Sequence, residues 1–315
     1  MLARSGEELL RICEEENISL SEYAIRVEME DKGLSREEVY EKMAKNLKVM
    51  KDGATEGREK EVYSLSGLIG GDGYKIQKYL EKGDTLTGDV TVKAMAMALS
   101  SSEVNAGMGR IVACPTAGSC GILPAVILSA GEKLGKTDEE LIDALFTSAA
   151  VGMIIGMNAT LSGAEGGCQA ECGSAAAMGS AAVVEMMGGT PRMSLDAAAI
   201  VMKNILGLVC DPVAGLVEIP CAKRNAAGAI SALCTADMVM AGVSSKIPFD
   251  DTVSAMYKIG KSLPASLRET AMGGVAVTKA GLELRKKVFG EEQNKIAHIV
   301  DFVEYYIGRQ RLHYR

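Results

Sequence analysis

Apolar and polar positions recur along this chain with helical spacing. Val39, Met43 and Leu47 repeat every four residues among charged neighbours, which lays them on one helix face. Ser5 with Glu8, Ser19 with Glu22, and Ser35 with Glu38 each fit the Ser-x-x-Glu capping box. In that box the hydroxyl and the carboxylate satisfy amides left free at a helix start. The pattern predicts three amphipathic N-terminal helices, with Gly33 and Gly53 ending the second and third. Thr137 with Glu140 repeats the start signal. Further helices are expected around Tyr74–Lys82, Asp89–Ser100, Ile122–Lys133, Asp138–Met157, Glu171–Met187 and Ser194–Leu208. Four more are expected around Ala222–Ala241, Asp251–Ser262, Leu267–Lys287 and Glu292–Ile307. Arg110–Cys114 reads as a short extended piece. No run of five or more residues alternates with period two, so the expected fold class is all-α: a compact, mostly helical domain with little or no strand.

Charge divides the chain. Residues 1–60 hold 26 Asp, Glu, Lys and Arg, whereas residues 101–250 hold only 22, so the first stretch is solvated and the second is a buried centre. We expect a charged helical extension over 1–63, either a docking or support element or a helical subdomain with no partner, and one helical domain over 64–315. The central helices are rich in Ala, Gly and Ser, as in 173–182 and 225–232. Small side chains let helix axes approach closely, and packing must offset the low helix propensity of Gly. Ala144 to Ala164 carries no charge and is long enough to cross a bilayer, but its Thr, Ser and Asn residues and lack of basic flanks favour a core helix. With a net charge of -7 and 4% aromatic residues, neither a nucleic-acid nor an anionic-membrane partner is expected. The charged N-terminus and modest cysteine content read as a cytoplasmic protein with reduced thiols.

Chemistry-bearing residues are few. The eight cysteines lack paired C-x-x-C zinc spacing. Cys168 and Cys172 share a helix face, and Cys210 and Cys221 bracket a loop with two prolines; spacing alone makes no metal site of them. The run SGAEGGCQAECGS lacks the features of a phosphate-binding loop. Glu165 and Glu171 stand in a nearly uncharged stretch, where a carboxylate has to be paired, capping or functional. Arg224 has a planar fork suited to a carboxylate, or to a structural pair with Asp211 or Glu218. Thr116 and Ser119 lie in a loop entering a helix. His298 and His313 are the only histidines, so no Ser-His-Asp or Cys-His arrangement is visible.

Four segments together resemble the iron–sulfur L-serine dehydratases, in particular the α chain of the two-chain form: Arg110–Val126 (RIVACPTAGSCGILPAV), Asn158–Gly173 (NATLSGAEGGCQAECG), Cys210–Gly228 (CDPVAGLVEIPCAKRNAAG) and Ser35–Met50. The resemblance implies a helical catalytic domain over 64–315 and a separate β chain that carries catalytic histidines. It implies that Cys168, Cys210 and Cys221 hold a [4Fe–4S] cluster with one iron open, and that Cys172 lies outside the ligand set. It also implies that the open iron acts as a Lewis acid on the hydroxyl of L-serine, giving pyruvate and ammonia. Thr116, Ser119, Ser162 and Arg224 are then candidates for gripping the substrate's carboxylate or amino group; the base is unidentified. Competing readings are a related iron–sulfur lyase acting on L-cysteine or L-threonine, and a non-catalytic helical subunit with merely buried cysteines. Pyridoxal-phosphate chemistry would need an α/β scaffold, against the helical pattern.

Overall fold

The computed structural model describes residues 2–290. Helices α1 (Gly6–Glu16), α2 (Leu20–Lys32) and α3 (Arg36–Glu59) open the chain. The Ser35–Glu38 box is complete, as is Thr137–Glu140 further on. The other two are half-boxes. Ser5 and Ser19 accept the amides of Glu8 and Glu22, but Glu8 turns to the Arg4 amide and Glu22 pairs with Arg26 and Arg36. Acids from distant helices supply the missing caps. Asp250 accepts the Gly6 and Glu7 amides, and Glu185 accepts those of Leu20 and Ser21. Leu9, Leu20, Ile25, Val39 and Leu47 thereby enter one apolar core with Ile122, Ile155 and Met202.

Gly33 ends α2 in the left-handed region, as expected. Gly53 does not end α3, which runs on to Glu59. The reason is a helix crossing with α5 (Asp89–Ala106). The Ser100 hydroxyl donates to the Gly53 carbonyl at 2.7 Å and accepts the Gly57 amide at 2.8 Å. A Cβ on Gly57 would lie 2.9 Å from the Ser100 Cα. Beside this crossing, Glu103 of α5 is wholly buried and accepts the Asp72 and Gly73 amides that begin α4 (Asp72–Leu80). Burial pushes its carboxyl up to about 7.

The centre is built from α6 (Ile122–Leu134), α7 (Asp138–Asn158), the single turn α8 (Gly163–Gly166), α9 (Ser174–Met186), α10 (Pro191–Ile205), α11 (Cys221–Met240) and α12 (Phe249–Ser262). Helix α9 is buried from Ser174 to Val184 and packs against α6, α7, α10 and α11. Gly228 lets α11 meet α6, since a Cβ there would come within 2.7 Å of Ile122. Helix α7 is long and apolar enough to cross a membrane, and 67% of its most apolar stretch is buried inside the protein.

Among the described residues there is no strand; two isolated bridges join Tyr63 to Gly70 and Cys210 to Arg268. Residues 110–113 are irregular. The expected helix Leu267–Lys287 is corrected: only α13 (Lys279–Phe289) is an α-helix there. Glu269, Ala271 and Gly274 adopt left-handed backbone at φ 63°, 55° and 57°. Backbone bonds to Cys210 draw the segment away from helical form. The expected helix Glu292–Ile307, and both histidines, lie outside the described residues.

Candidate active site

Two segments bring buried thiols together, and a third adds hydroxyls. The first runs from α8 into a π-helical turn, Gln169–Gly173, that leads into α9. Gln169 bolts it down. Its amide nitrogen donates to the Gly166 and Met256 carbonyls, and its oxygen accepts the Gly207 amide at 2.9 Å. Cys168 precedes this turn and Cys172 lies within it; their sulfurs are hydrogen-bonded at 3.3 Å. That bond favours the thiolate of Cys168 against the opposing effect of burial, and Arg224 acts in the same direction. Sites that interrupt a helix with a π turn are often functional.

The second segment follows α10. Cys210 pairs its backbone with the 267–269 segment: its amide donates to Leu267 and its carbonyl accepts from Glu269, at 2.9 and 2.7 Å. Asp211, also buried, accepts Arg224 Nη2 at 2.9 Å and the Val275 amide at 2.7 Å. Gly274 packs so tightly on this carboxylate that a Cβ would lie 2.1 Å from it. The loop ends at Cys221, the first residue of α11. Burial pushes the Cys210 and Cys221 thiols far up. For Cys210 the next cause is Glu171, then Glu269; for Cys221 it is Cys168, then Glu171. All three thiols are therefore near enough to sense one another's charge. Among the described residues no three His, Cys, Asp or Glu side chains are arranged to hold a single metal ion.

The third segment is the turn at Ala117–Ser119, where Thr116 and Ser119 cap each other. Thr116 also donates its hydroxyl to Glu171 Oε1 at 2.7 Å. The other oxygen of Glu171 is 3.9 Å from Cys210 Sγ. Burial, then the charge of Glu269, raises Glu171 to about 7. Ser162 stands at the N-terminal end of α8 with no capping bond from its side chain, beside Gly163, whose Cα faces both Glu171 and Cys210 so closely that a Cβ would meet each. Glu269 takes a hydrogen bond from the Ala164 amide. Asn225 ties the arrangement together: it accepts the Gly121 amide and donates to the Gly118 and Cys221 carbonyls, at 2.8, 2.8 and 2.9 Å.

Thus Thr116 lies directly against Glu171, with Ser119 and Ser162 one contact further out. Arg224 is engaged: Nη1 donates to the Val209 carbonyl and Nη2 to Asp211. Of the pairs open to it from the sequence, Asp211 is the one formed. Glu165 is exposed, 4.0 Å from Lys261. Gln169, Asn225 and Glu269 were not singled out from sequence. The partners that matter most, Met256 and Gly207 for Gln169, Gly118 and Gly121 for Asn225, and Ala164 for Glu269, lie far along the chain.

The fold and its thiol–carboxylate centre define an all-helical protein built around one buried, polar, sulfur-rich site. The chain belongs to the serine dehydratase alpha chain family, whose model matches residues 15–276. It is 50% identical over 287 residues to the probable L-serine dehydratase, alpha chain, of Bacillus subtilis (strain 168), covering 91% of this chain and 95% of that one. It is 43% identical over 290 residues to the L-serine dehydratase, alpha chain, of Peptoniphilus asaccharolyticus, covering 92% and 99%. L-serine dehydratase TdcG of Escherichia coli (strain K12) is a longer chain, matched at 36% identity over 87% of this chain and 61% of its own.

Proposed function

We propose that this chain is the α chain of an iron–sulfur L-serine dehydratase, working in the cytoplasm with a β chain. L-serine loses water to give 2-aminoacrylate, which tautomerises and hydrolyses to pyruvate and ammonia. The observation that carries the reading is the nearly end-to-end similarity to chains named L-serine dehydratase, alpha chain.

Cys168, Cys210 and Cys221 are the residues that would hold a [4Fe–4S] cluster. The donor chemistry fits. Burial and mutual charge disfavour the thiolates of Cys210 and Cys221 in the protein alone, and a strongly cationic group bound to them offsets that cost. Arg224 is the cation that Cys168 and Cys221 sense, and it already serves Asp211. When bound, such a cluster supplies a Lewis acid for the departing hydroxyl. The chain's own residues set the frame. Thr116 holds Glu171 toward Cys210, and Arg224 braces the loop from Cys210 to Cys221. A guanidinium has five N–H donors, so Arg224 keeps donors for a substrate carboxylate beyond the two in use. The hydroxyls of Thr116, Ser119 and Ser162 are the candidates for the ammonium and the other carboxylate oxygen.

The test is anaerobic purification with a β chain, followed by visible absorbance and product assay. A brown chromophore and pyruvate from L-serine are expected. Release of 2-oxobutyrate from L-threonine or sulfide from L-cysteine at a higher rate would reassign the substrate. A colourless, inactive preparation would favour the non-catalytic subunit.

A further inference from the structure

We infer that Cys172 is a positioning residue: its thiol is hydrogen-bonded to the sulfur of Cys168 and holds that sulfur in the place of a ligand. The inference rests on the proposed cluster and assigns a role to a cysteine outside its ligand set.

The geometry carries it. The two sulfurs are 3.3 Å apart, and both residues are buried. Cys168 stands at the start of the π turn and Cys172 lies within it, four residues on and on the same face. Gln169 locks the turn through hydrogen bonds to three other segments. Two other buried cysteines behave differently. Cys114 donates to the Val112 and Cys120 carbonyls, and Cys120 to that of Ser101. Those thiols have backbone acceptors, as structural cysteines do. Cys172 has no backbone acceptor among the described residues and meets a sulfur: with both residues as thiols the Cys168 S–H donates to it, and once Cys168 ligates as a thiolate only the Cys172 S–H is left to donate.

A thiol donor beside a ligating sulfur draws off part of its negative charge. Groups in that position orient a metal ligand and tune the metal, and their loss costs about 10- to 100-fold in metal affinity. Hydrogen bonds to the sulfurs of an iron–sulfur cluster also set its reduction potential.

The full chain, reconstituted anaerobically with iron and sulfide, is compared with its Cys172→Ala and Cys172→Ser variants. Iron content, visible spectrum, release of iron to a chelator and reduction potential are measured, with circular dichroism melting as the control for folding. Cys172→Ala is expected to fold and take up the full iron complement. It should release iron about 10- to 100-fold faster and have a lower reduction potential. Cys172→Ser, which keeps a donor, should fall nearer the native protein. Equal release rates and potentials in all three, or equal defects in both variants, would reduce Cys172 to packing. A folded Cys172→Ala variant without iron would make it a ligand. A native chain that takes up no iron sinks the cluster reading and this inference together. A native chain with a cluster, beside an unchanged Cys172→Ala variant, sinks this inference alone.

Discussion

At the residue scale, the thiols and the side chains that place them have separable consequences. Replacing Cys168, Cys210 or Cys221 by Ala should abolish both the visible absorbance and pyruvate formation with the β chain present. Cys114→Ala should keep both, since that thiol serves backbone carbonyls. Iron content measured on the four variants checks this; a colourless Cys114→Ala beside a coloured Cys221→Ala would overturn the ligand set. Gln169→Ala removes three hydrogen bonds from a fully buried amide and should cost about 1–3 kcal/mol, read as a lower thermal midpoint. The cysteines were legible because they sit in long motifs. Gln169 and Asn225 were not, because a side-chain amide announces nothing until its acceptors, such as Met256 for Gln169 and Gly118 for Asn225, arrive from elsewhere.

At the scale of elements, glycine is where reading the chain and seeing it part company. A glycine in a helical pattern signals a stop, which holds for Gly33 and fails for Gly53. The failure is tertiary: Gly57 is kept small for Ser100 of α5, whose hydroxyl also bonds the Gly53 carbonyl, and no local pattern reveals a crossing partner. Gly57→Ala should therefore destabilise the protein by about 1–3 kcal/mol, although alanine is the better helix former. Its new Cβ would press on backbone, which cannot swing aside. A denaturant midpoint at or above the native value would refute the crossing. The segment 267–278 departs from the expected helix for a related reason. Its charged and apolar spacing suits a helix, yet its conformation is dictated by Cys210 and Asp211, more than fifty residues earlier. The helices with caps and a local apolar face, such as α6 and α7, fell within a residue or so of their expected bounds.

At the scale of the whole molecule, stability depends on acids that tie one helix to the next. Glu103 has a carboxyl at about 7 in the fold, against an ordinary value of 4.5. Between those values the folded chain binds more proton than the unfolded one. Stability owed to this group is then present at low pH and lost as pH rises through about 7, by up to ~3 kcal/mol. Glu103→Gln keeps an acceptor for the α4 amides without the charge. It should melt higher than the native chain at pH 8 and alongside it near pH 4, and parallel pH profiles would dismiss the effect. Activity is expected to need more than this chain. The site gathers thiols, hydroxyls, Glu171 and Glu269, two carboxylates that repel each other and are raised by burial. No histidine stands among the described residues, and the Escherichia coli relative extends well beyond the matched portion. On the proposal above, the β chain supplies the remaining proton-transfer group. Purified alone, this chain should hold iron yet form little or no pyruvate, and titration with the β chain should restore turnover until the two are equimolar. Full turnover by the single chain would place the base here and make Glu171 the first residue to replace.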